Sequence, residues 1–134
     1  MSKHQVSHLY YHQLWLAIGW SIIILVIYLS LNKGGIHLPS DILNDKMGHA
    51  LGYFSLMLWF TQIYKSFKHR ALLAISFVLL GISLEFLQKM GGVRAYEVAD
   101  MVANTTGVLL GWLAAYLGLD RILAWFELRV LSRS

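Results

Sequence analysis

The segment that decides the fold runs from Glu85 to Gly111 and reads EFLQKMGGVRAYEVADMVANTTGVLLG. It joins the end of one apolar stretch to the start of another through a pair of glycines, and it carries several charged and amide side chains. Ionisable groups inside or beside a membrane span are costly, so they usually face a bundle interior or a cavity and mark a functional site. We therefore interpret this segment as two membrane helices and the turn between them, bearing a functional site.

The second half of this segment has a helical pattern. Four residues follow one another at offsets of four, three and four, which places them on one side of a helix: Asp100, Asn104, Gly107 and Gly111. Glycines at such positions let a neighbouring helix backbone approach closely. The pattern predicts that this side of the helix faces protein and carries Asp100 and Asn104 inward.

The composition of the whole chain indicates an integral membrane protein with one domain. It has 134 residues, of which 57% are hydrophobic, and a mean hydropathy of +0.58, which is too apolar for an ordinary soluble domain. The net charge of +4 is not gathered into a basic run, so we expect no nucleic-acid partner. Without cysteine, the chain has no disulfide, thiolate metal site or cysteine nucleophile.

The apolar stretches predict an all-α fold, a four-helix transmembrane bundle with a C-terminal amphipathic helix. Residues 1–12 form the N-terminus and residues 13–119 the membrane domain, with spans at about 13–31, 46–64, 71–88 and 98–119. Residues 120–134, DRILAWFELRVLSRS, set apolar residues against Arg121, Glu127, Arg129 and Arg133. This tail is too short and too charged to be a fifth span, so we expect it to lie on the membrane surface.

The second span begins with a further set of polar residues. Asp45, His49 and Tyr53 recur every four residues and share a helix face, with Lys46 beside them. An antiparallel arrangement of the spans would bring them to the depth of the polar residues of the third and fourth spans. We expect one ligand-binding pocket built from nine residues: Asp45, Lys46, His49, Tyr53, Glu85, Gln88, Arg94, Asp100 and Asn104.

The distribution of basic residues predicts the orientation of the chain. With four spans, one side of the membrane holds Lys3, Lys65, Lys68, Arg70, Arg121, Arg129 and Arg133. The other side holds fewer basic residues, namely Lys33, Lys46, Lys89 and Arg94. The positive-inside rule makes the first side cytoplasmic. We therefore expect a multi-pass protein of the cell inner membrane with both termini in the cytoplasm and the polar pocket facing outward.

Several chemistries would suit this pocket. Arg94 and Lys46 would hold an anionic head group, since arginine offers a bidentate fork to phosphate or carboxylate. Alternatively, His49 would act as a general base or nucleophile, oriented by Glu85 or Asp100. The same three residues would also suit a divalent metal, although we expect neither a metal nor a cofactor. A further alternative is a purely structural network of ion pairs that locks the helices.

Together these residues resemble the VanZ-like family of small bacterial membrane proteins. The resemblance covers about residues 41–115 and rests on two blocks of residues in order: Asp45, Lys46, His49 and Tyr53, then Glu85, Gln88, Arg94, Asp100, Asn104, Gly107 and Gly111. It implies a four-span membrane protein related to one that is associated with low-level resistance to teicoplanin, and it assigns no chemical role to these positions. Gly91 and Gly92 stand where many relatives are expected to have a proline-containing turn.

The expected function is therefore binding of an anionic membrane lipid or a lipid-linked cell-envelope precursor by its head group. The alternatives are an intramembrane enzyme that acts on a lipid-linked phosphate or ester through His49 with Glu85 or Asp100, and a structural membrane subunit. The sequence contains neither a G-x-S-x-G elbow nor an H-E-x-x-H pair to favour the enzyme.

Overall fold

The computed structural model describes residues 9–31, 42–90 and 98–131, with only the backbone described at 42–46, 88, 89 and 131. This part of the chain is helical and contains no strand, which confirms the all-α prediction for it. The long helices are α1 (His12–Leu31), α2 (Ile42–Ile63), α3 (Phe67–Met90) and α4 (Val98–Tyr116). After α4 come a 3-10 turn (Leu119–Arg121), the short helix α5 (Ile122–Phe126) and a π-helical turn (Glu127–Leu131).

Three of the described helices are long and apolar enough to cross a membrane. They are α1 over its full length, α3 from Phe67 to Leu87, and α4 over its full length. Helix α2, whose side chains are described from Met47 onward, is not among them. By length and composition, the described part of the chain therefore offers three candidate membrane spans.

Local sequence signals set the ends of two helices. The hydroxyl of Ser66 accepts a hydrogen bond from the backbone N–H of His69 at 3.1 Å and so caps the first turn of α3. At the end of α4, Gly118 takes a left-handed conformation with φ of 111°, which suits glycine because it has no Cβ. The chain can thus turn sharply from α4 into the tail.

Helix α2 lies at the centre of the packing and contacts α1, α3 and α4. Its residues Tyr53, Leu56, Met57 and Phe60 are buried and supply most of the main apolar core. From α3 and α4 the core receives Ala74, Phe77 and Val108. The helix that is missing from the candidate spans is therefore the one that contacts all three of them.

Two glycines let α4 lie directly on the backbone of α2. A Cβ added at Gly107 would fall on the carbonyl group of Ala50, and one added at Gly111 would lie 2.8 Å from the carbonyl oxygen of Phe54. Asp100 and Asn104 are buried on the same side of α4 as these glycines. The prediction that this side of α4 faces protein is confirmed.

The ends of the helices show how they alternate in direction. The beginning of α1 contacts the tail through Trp15 and Glu127. The end of α2 contacts it through Gln62, whose amide donates to the Leu119 carbonyl at 2.7 Å and accepts from the Leu123 N–H at 3.1 Å. The start of α1, the turn between α2 and α3, and the tail therefore lie at one end of the molecule, which we call the tail end.

The tail differs from the prediction of one amphipathic helix with Glu127 on its polar side. Glu127 is only 5% exposed, and its carboxylate accepts hydrogen bonds from the backbone N–H groups of Tyr10 and Tyr11 at 2.7 and 2.8 Å and from the Trp15 indole at 2.5 Å. The first N–H groups of a helix have no partner within the helix, and a carboxylate there also favours the helix dipole. Glu127 is buried because it accepts hydrogen bonds from these N–H groups. Its predicted position on the polar side of the tail was therefore wrong.

The basic turn between α2 and α3 also differs from expectation, because Arg70 is buried. Its guanidinium donates to the carbonyl oxygens of Tyr64 and Thr61 at 2.8 Å each and to the Asp120 carboxylate at 2.7 Å. A planar guanidinium can serve several acceptors at once. Arg70 therefore joins the α2–α3 turn to the tail instead of lying on the surface with the other basic residues.

Candidate functional site

The polar residues that the sequence singled out on α2 and α4 come together at the end of the molecule opposite the tail end. The Nδ1 atom of His49 lies 3.2 Å from Oδ1 of Asn104, and its Nε2 atom lies 3.8 Å from Oδ2 of Asp100. Asp100 and Asn104 are one helical turn apart on α4, so one imidazole reaches both. The structure thus brings His49, Asp100 and Asn104 into one cluster, which we call the polar site.

Close backbone contacts position these side chains. His49 is next to Ala50, the residue on which Gly107 packs, so the imidazole is held against α4. On the other side of α4, a Cβ added at Gly81 of α3 would lie 2.9 Å from Nδ2 of Asn104. The Asn104 amide therefore fills a gap that glycine leaves in α3, with its nitrogen toward α3 and its oxygen toward His49.

Tyr53 and Glu85 extend the same buried region. Tyr53 follows His49 by one turn of α2 and is 3% exposed, while Glu85 lies one turn beyond Gly81 on α3 and is 2% exposed. The Glu85 carboxylate is within electrostatic range of the Tyr53 phenol. Residues of three helices therefore meet in this region, as the sequence predicted.

The side chains of the polar site differ in how much of their surface is exposed. The side chain of Asp100 is fully buried, whereas that of His49 keeps 17% of its surface exposed. Asn104 is 4% exposed. Among the described residues of the cluster, the imidazole is thus the group that a molecule approaching from outside can touch.

The geometry also limits how the imidazole holds its hydrogens. An amide oxygen only accepts, so the contact with Asn104 is a hydrogen bond when Nδ1 carries a hydrogen. Nε2 then faces the Asp100 carboxylate at ion-pair distance.

Several predicted residues of the pocket fall outside what the structure describes. Arg94 lies outside the described residues altogether. For Asp45, Lys46 and Gln88 the backbone is helical and the side chains are outside the description. Within the described part, no group of three or more His, Asp and Glu side chains is arranged to hold a metal ion, so the metal site considered for His49, Glu85 and Asp100 is not formed.

Sequence reasoning missed a second polar cluster, at the tail end. Besides the bonds of Arg70, the Lys65 ammonium donates to the backbone carbonyl of Asp120 at 2.5 Å and lies 3.8 Å from its carboxylate. Burial lowers the pKa of Lys65, and the Asp120 carboxylate only partly opposes that shift. The available signal was the presence of Asp120 and Glu127 in an otherwise apolar and basic tail.

Comparison of the chain with protein-family models, with curated proteins and with solved structures finds no match. The class of protein is therefore defined by the fold and the polar site themselves: a helical protein with three helices long and apolar enough to cross a membrane, in which a histidine, an aspartate and an asparagine meet between two helices.

Proposed function

We propose that this chain is a VanZ-like membrane protein whose polar site binds the head group of an anionic lipid or of a lipid-linked cell-envelope precursor. In this proposal α1 to α4 form a four-span bundle in the inner membrane. Both termini are cytoplasmic and the polar site faces outward. Membrane lipids are then its partners, and no cofactor takes part.

The placement of α2 supports a fourth span. Its 22 residues correspond to about 33 Å of helix, which matches the hydrocarbon core of a bilayer. It ends at the tail end, where α1 begins, so it runs antiparallel to α1 over a similar length. Since the other three helices cover it, α2 needs less apolar surface than a helix that faces lipid on all sides.

The accessibility of His49 is the observation that carries the binding proposal. The acidic and amide groups beside it are buried, so a head group at this site meets the imidazole edge first. A protonated imidazole is a charge-assisted donor to phosphate or carboxylate oxygens. In sequence, Lys46 precedes His49 by three residues and Arg94 precedes Asp100 by six, and in this proposal both cations also bind the head group.

Lipid retention by the purified protein tests this proposal. His49→Ala should reduce retention of an anionic lipid relative to a zwitterionic lipid, and Arg94→Ala and Lys46→Ala should do the same. The matched control is His69→Ala, because His69 is an exposed histidine on α3 near the tail end. Retention that is unchanged in His49→Ala, or equally reduced in His69→Ala, would count against the proposal.

The contact between His49 and Asp100 favours a second candidate, an intramembrane enzyme acting on a lipid-linked phosphate or ester. In it His49 is the general base or nucleophile and Asp100 orients the ring, with Glu85 buried nearby on α3. Incubation with a polyprenyl phosphate or a lipid ester tests it. Turnover that His69→Ala retains and His49→Ala abolishes would select the enzyme over the binding protein.

Thermal melting of His49→Ala distinguishes the third candidate, a structural subunit, from the other two. If the polar site only locks the helices, His49→Ala should lower the melting temperature sharply and leave lipid retention by the folded fraction unchanged. If it binds a head group, retention should fall in protein that still melts near the wild-type temperature.

A further inference from the structure

The tail end presents a surface in which basic and large apolar side chains are mixed. At this end the first turn of α3 and the tail leave six described residues exposed: Phe67, Lys68, Arg121, Trp125, Leu128 and Arg129. We call this the basic aromatic surface. It lies at the opposite end of the molecule from His49, so it is a different surface from the polar site.

The described acids near this surface have their hydrogen-bond partners inside the protein. Of the acidic residues described at the tail end, Asp120 is paired with Arg70 at 2.7 Å and Glu127 is buried under donors from α1. Lys68, Arg121 and Arg129 are exposed beside them. What the surface presents outward is therefore positive charge together with apolar area.

The hydrogen bonds of Glu127 fix which side of the tail faces out. Because Glu127 and Leu123 point inward, the neighbouring side chains Trp125 and Leu128 are left 55% and 70% exposed. The guanidinium carbon of Arg129 lies 5.7 Å from the centre of the Trp125 ring, a cation–π arrangement. Tryptophan and arginine in this combination are typical of the region where a bilayer meets water.

We propose that the basic aromatic surface binds the head groups of anionic phospholipids in the leaflet at the tail end. Trp125 and Leu128 enter the boundary between head groups and acyl chains, while Arg121, Arg129 and Lys68 meet the phosphates. The partner is a lipid surface, because the exposed charges are of one sign and the apolar groups beside them are aromatic and aliphatic.

Lipid exchange in nanodiscs that mix phosphatidylglycerol with phosphatidylcholine tests this inference, with bound lipids counted by native mass spectrometry. A basic residue near an anionic surface strengthens binding about fivefold, so Arg121→Gln with Arg129→Gln should weaken the preference for phosphatidylglycerol by roughly 25-fold. Arg121→Lys with Arg129→Lys should retain it, since the charge is kept. Lys68→Gln, placed on α3, should weaken it by about fivefold without altering the tail.

The same experiment separates this surface from the polar site. His49→Ala should remove only lipid bound at the polar site, so the glutamine substitutions should weaken the remaining preference for phosphatidylglycerol by the same factor in that variant. If the wild type shows no preference for phosphatidylglycerol, or if His49→Ala removes it and the glutamine variants do not, the inference is wrong.

The absence of cysteine gives a second measurement on the intact chain. Leu128→Cys provides a unique attachment point for an environment-sensitive fluorophore. In phosphatidylglycerol nanodiscs the label should emit as from an apolar environment and resist quenching by aqueous iodide. Emission typical of water, with full quenching, would overturn the placement of the tail in the lipid.

Discussion

Replacing Gly107 by alanine would place a methyl group within the backbone of the neighbouring helix. The added Cβ would overlap the carbonyl oxygen of Ala50 and lie 3.0 and 3.1 Å from its carbonyl carbon and Cα. These atoms belong to the hydrogen-bonded backbone of α2 and have no side-chain rotation by which to move away. Helix α4 must therefore separate from α2, next to the contact between His49 and Asn104.

The size of the effect follows from two opposing contributions. Overpacking of a filled interior costs about 1 to 3 kcal/mol, and the upper end applies because the obstruction is backbone. Alanine in place of glycine within a helix recovers about 1 kcal/mol. The net loss of stability is then about 2 kcal/mol, which for a chain of this length corresponds to a fall in melting temperature of about 8 °C.

Thermal melting of the protein in detergent measures this loss, and Gly52→Ala is the matched control. Gly52 lies on α2, the helix that Gly107 of α4 packs against, and a Cβ added there would meet nothing within 4 Å. Gly52→Ala should melt at or slightly above the wild-type temperature. If Gly107→Ala behaves in the same way as Gly52→Ala, the close contact between α2 and α4 is refuted.

Three further predictions concern the tail end. Glu127→Ala leaves the donors of α1 and the Trp15 indole without their acceptor, so melting should show a loss of about 3 kcal/mol, and an unchanged melting temperature would contradict this. Arg70→Lys keeps the positive charge but loses the planar guanidinium that donates to two carbonyls and to Asp120. It should lower the free energy of unfolding by about 2 kcal/mol in the same assay, and an unchanged stability would show that the charge alone matters. Burial lowers the pKa of Lys65 below 10.5, so the unfolded chain binds more protons as the pH approaches 10.5. As the pH rises from the lowered pKa of folded Lys65 to 10.5, the stability of the wild type relative to Lys65→Met should therefore increase, as measured by melting at several pH values. A decrease over this pH range would contradict the lowered pKa.

The inner side of α4 could be predicted from sequence because its signal is local. Asp100, Asn104, Gly107 and Gly111 share one helix side by their spacing alone. In an apolar chain, a side that combines amides, acids and glycines has no stable place facing lipid. The same reasoning predicted that His49 of α2 would lie near these residues, and the structure places it next to Asp100 and Asn104.

The positions of Glu127 and Arg70 could not be predicted in this way. Their partners are mainly backbone groups of other segments. Glu127 accepts from the two N–H groups just before α1, and Arg70 donates to carbonyls at and just after the end of α2. Every helix end offers such groups, so the sequence does not show which charged residue will reach them. A charge pattern in the tail therefore predicted an amphipathic surface helix, while the structure uses one of its acids as a buried link.

The most direct test of the proposed function is nuclear magnetic resonance of the histidine rings in labelled protein, titrated with a polyprenyl phosphate. The chain has 6 histidines, and His49→Ala and His69→Ala assign the two signals that matter. If His49 is the accessible group of a head-group site, its ring resonances should shift saturably while those of His69 stay in place. Ring resonances of His49 that do not move, while the lipid is bound elsewhere on the protein, would contradict the account.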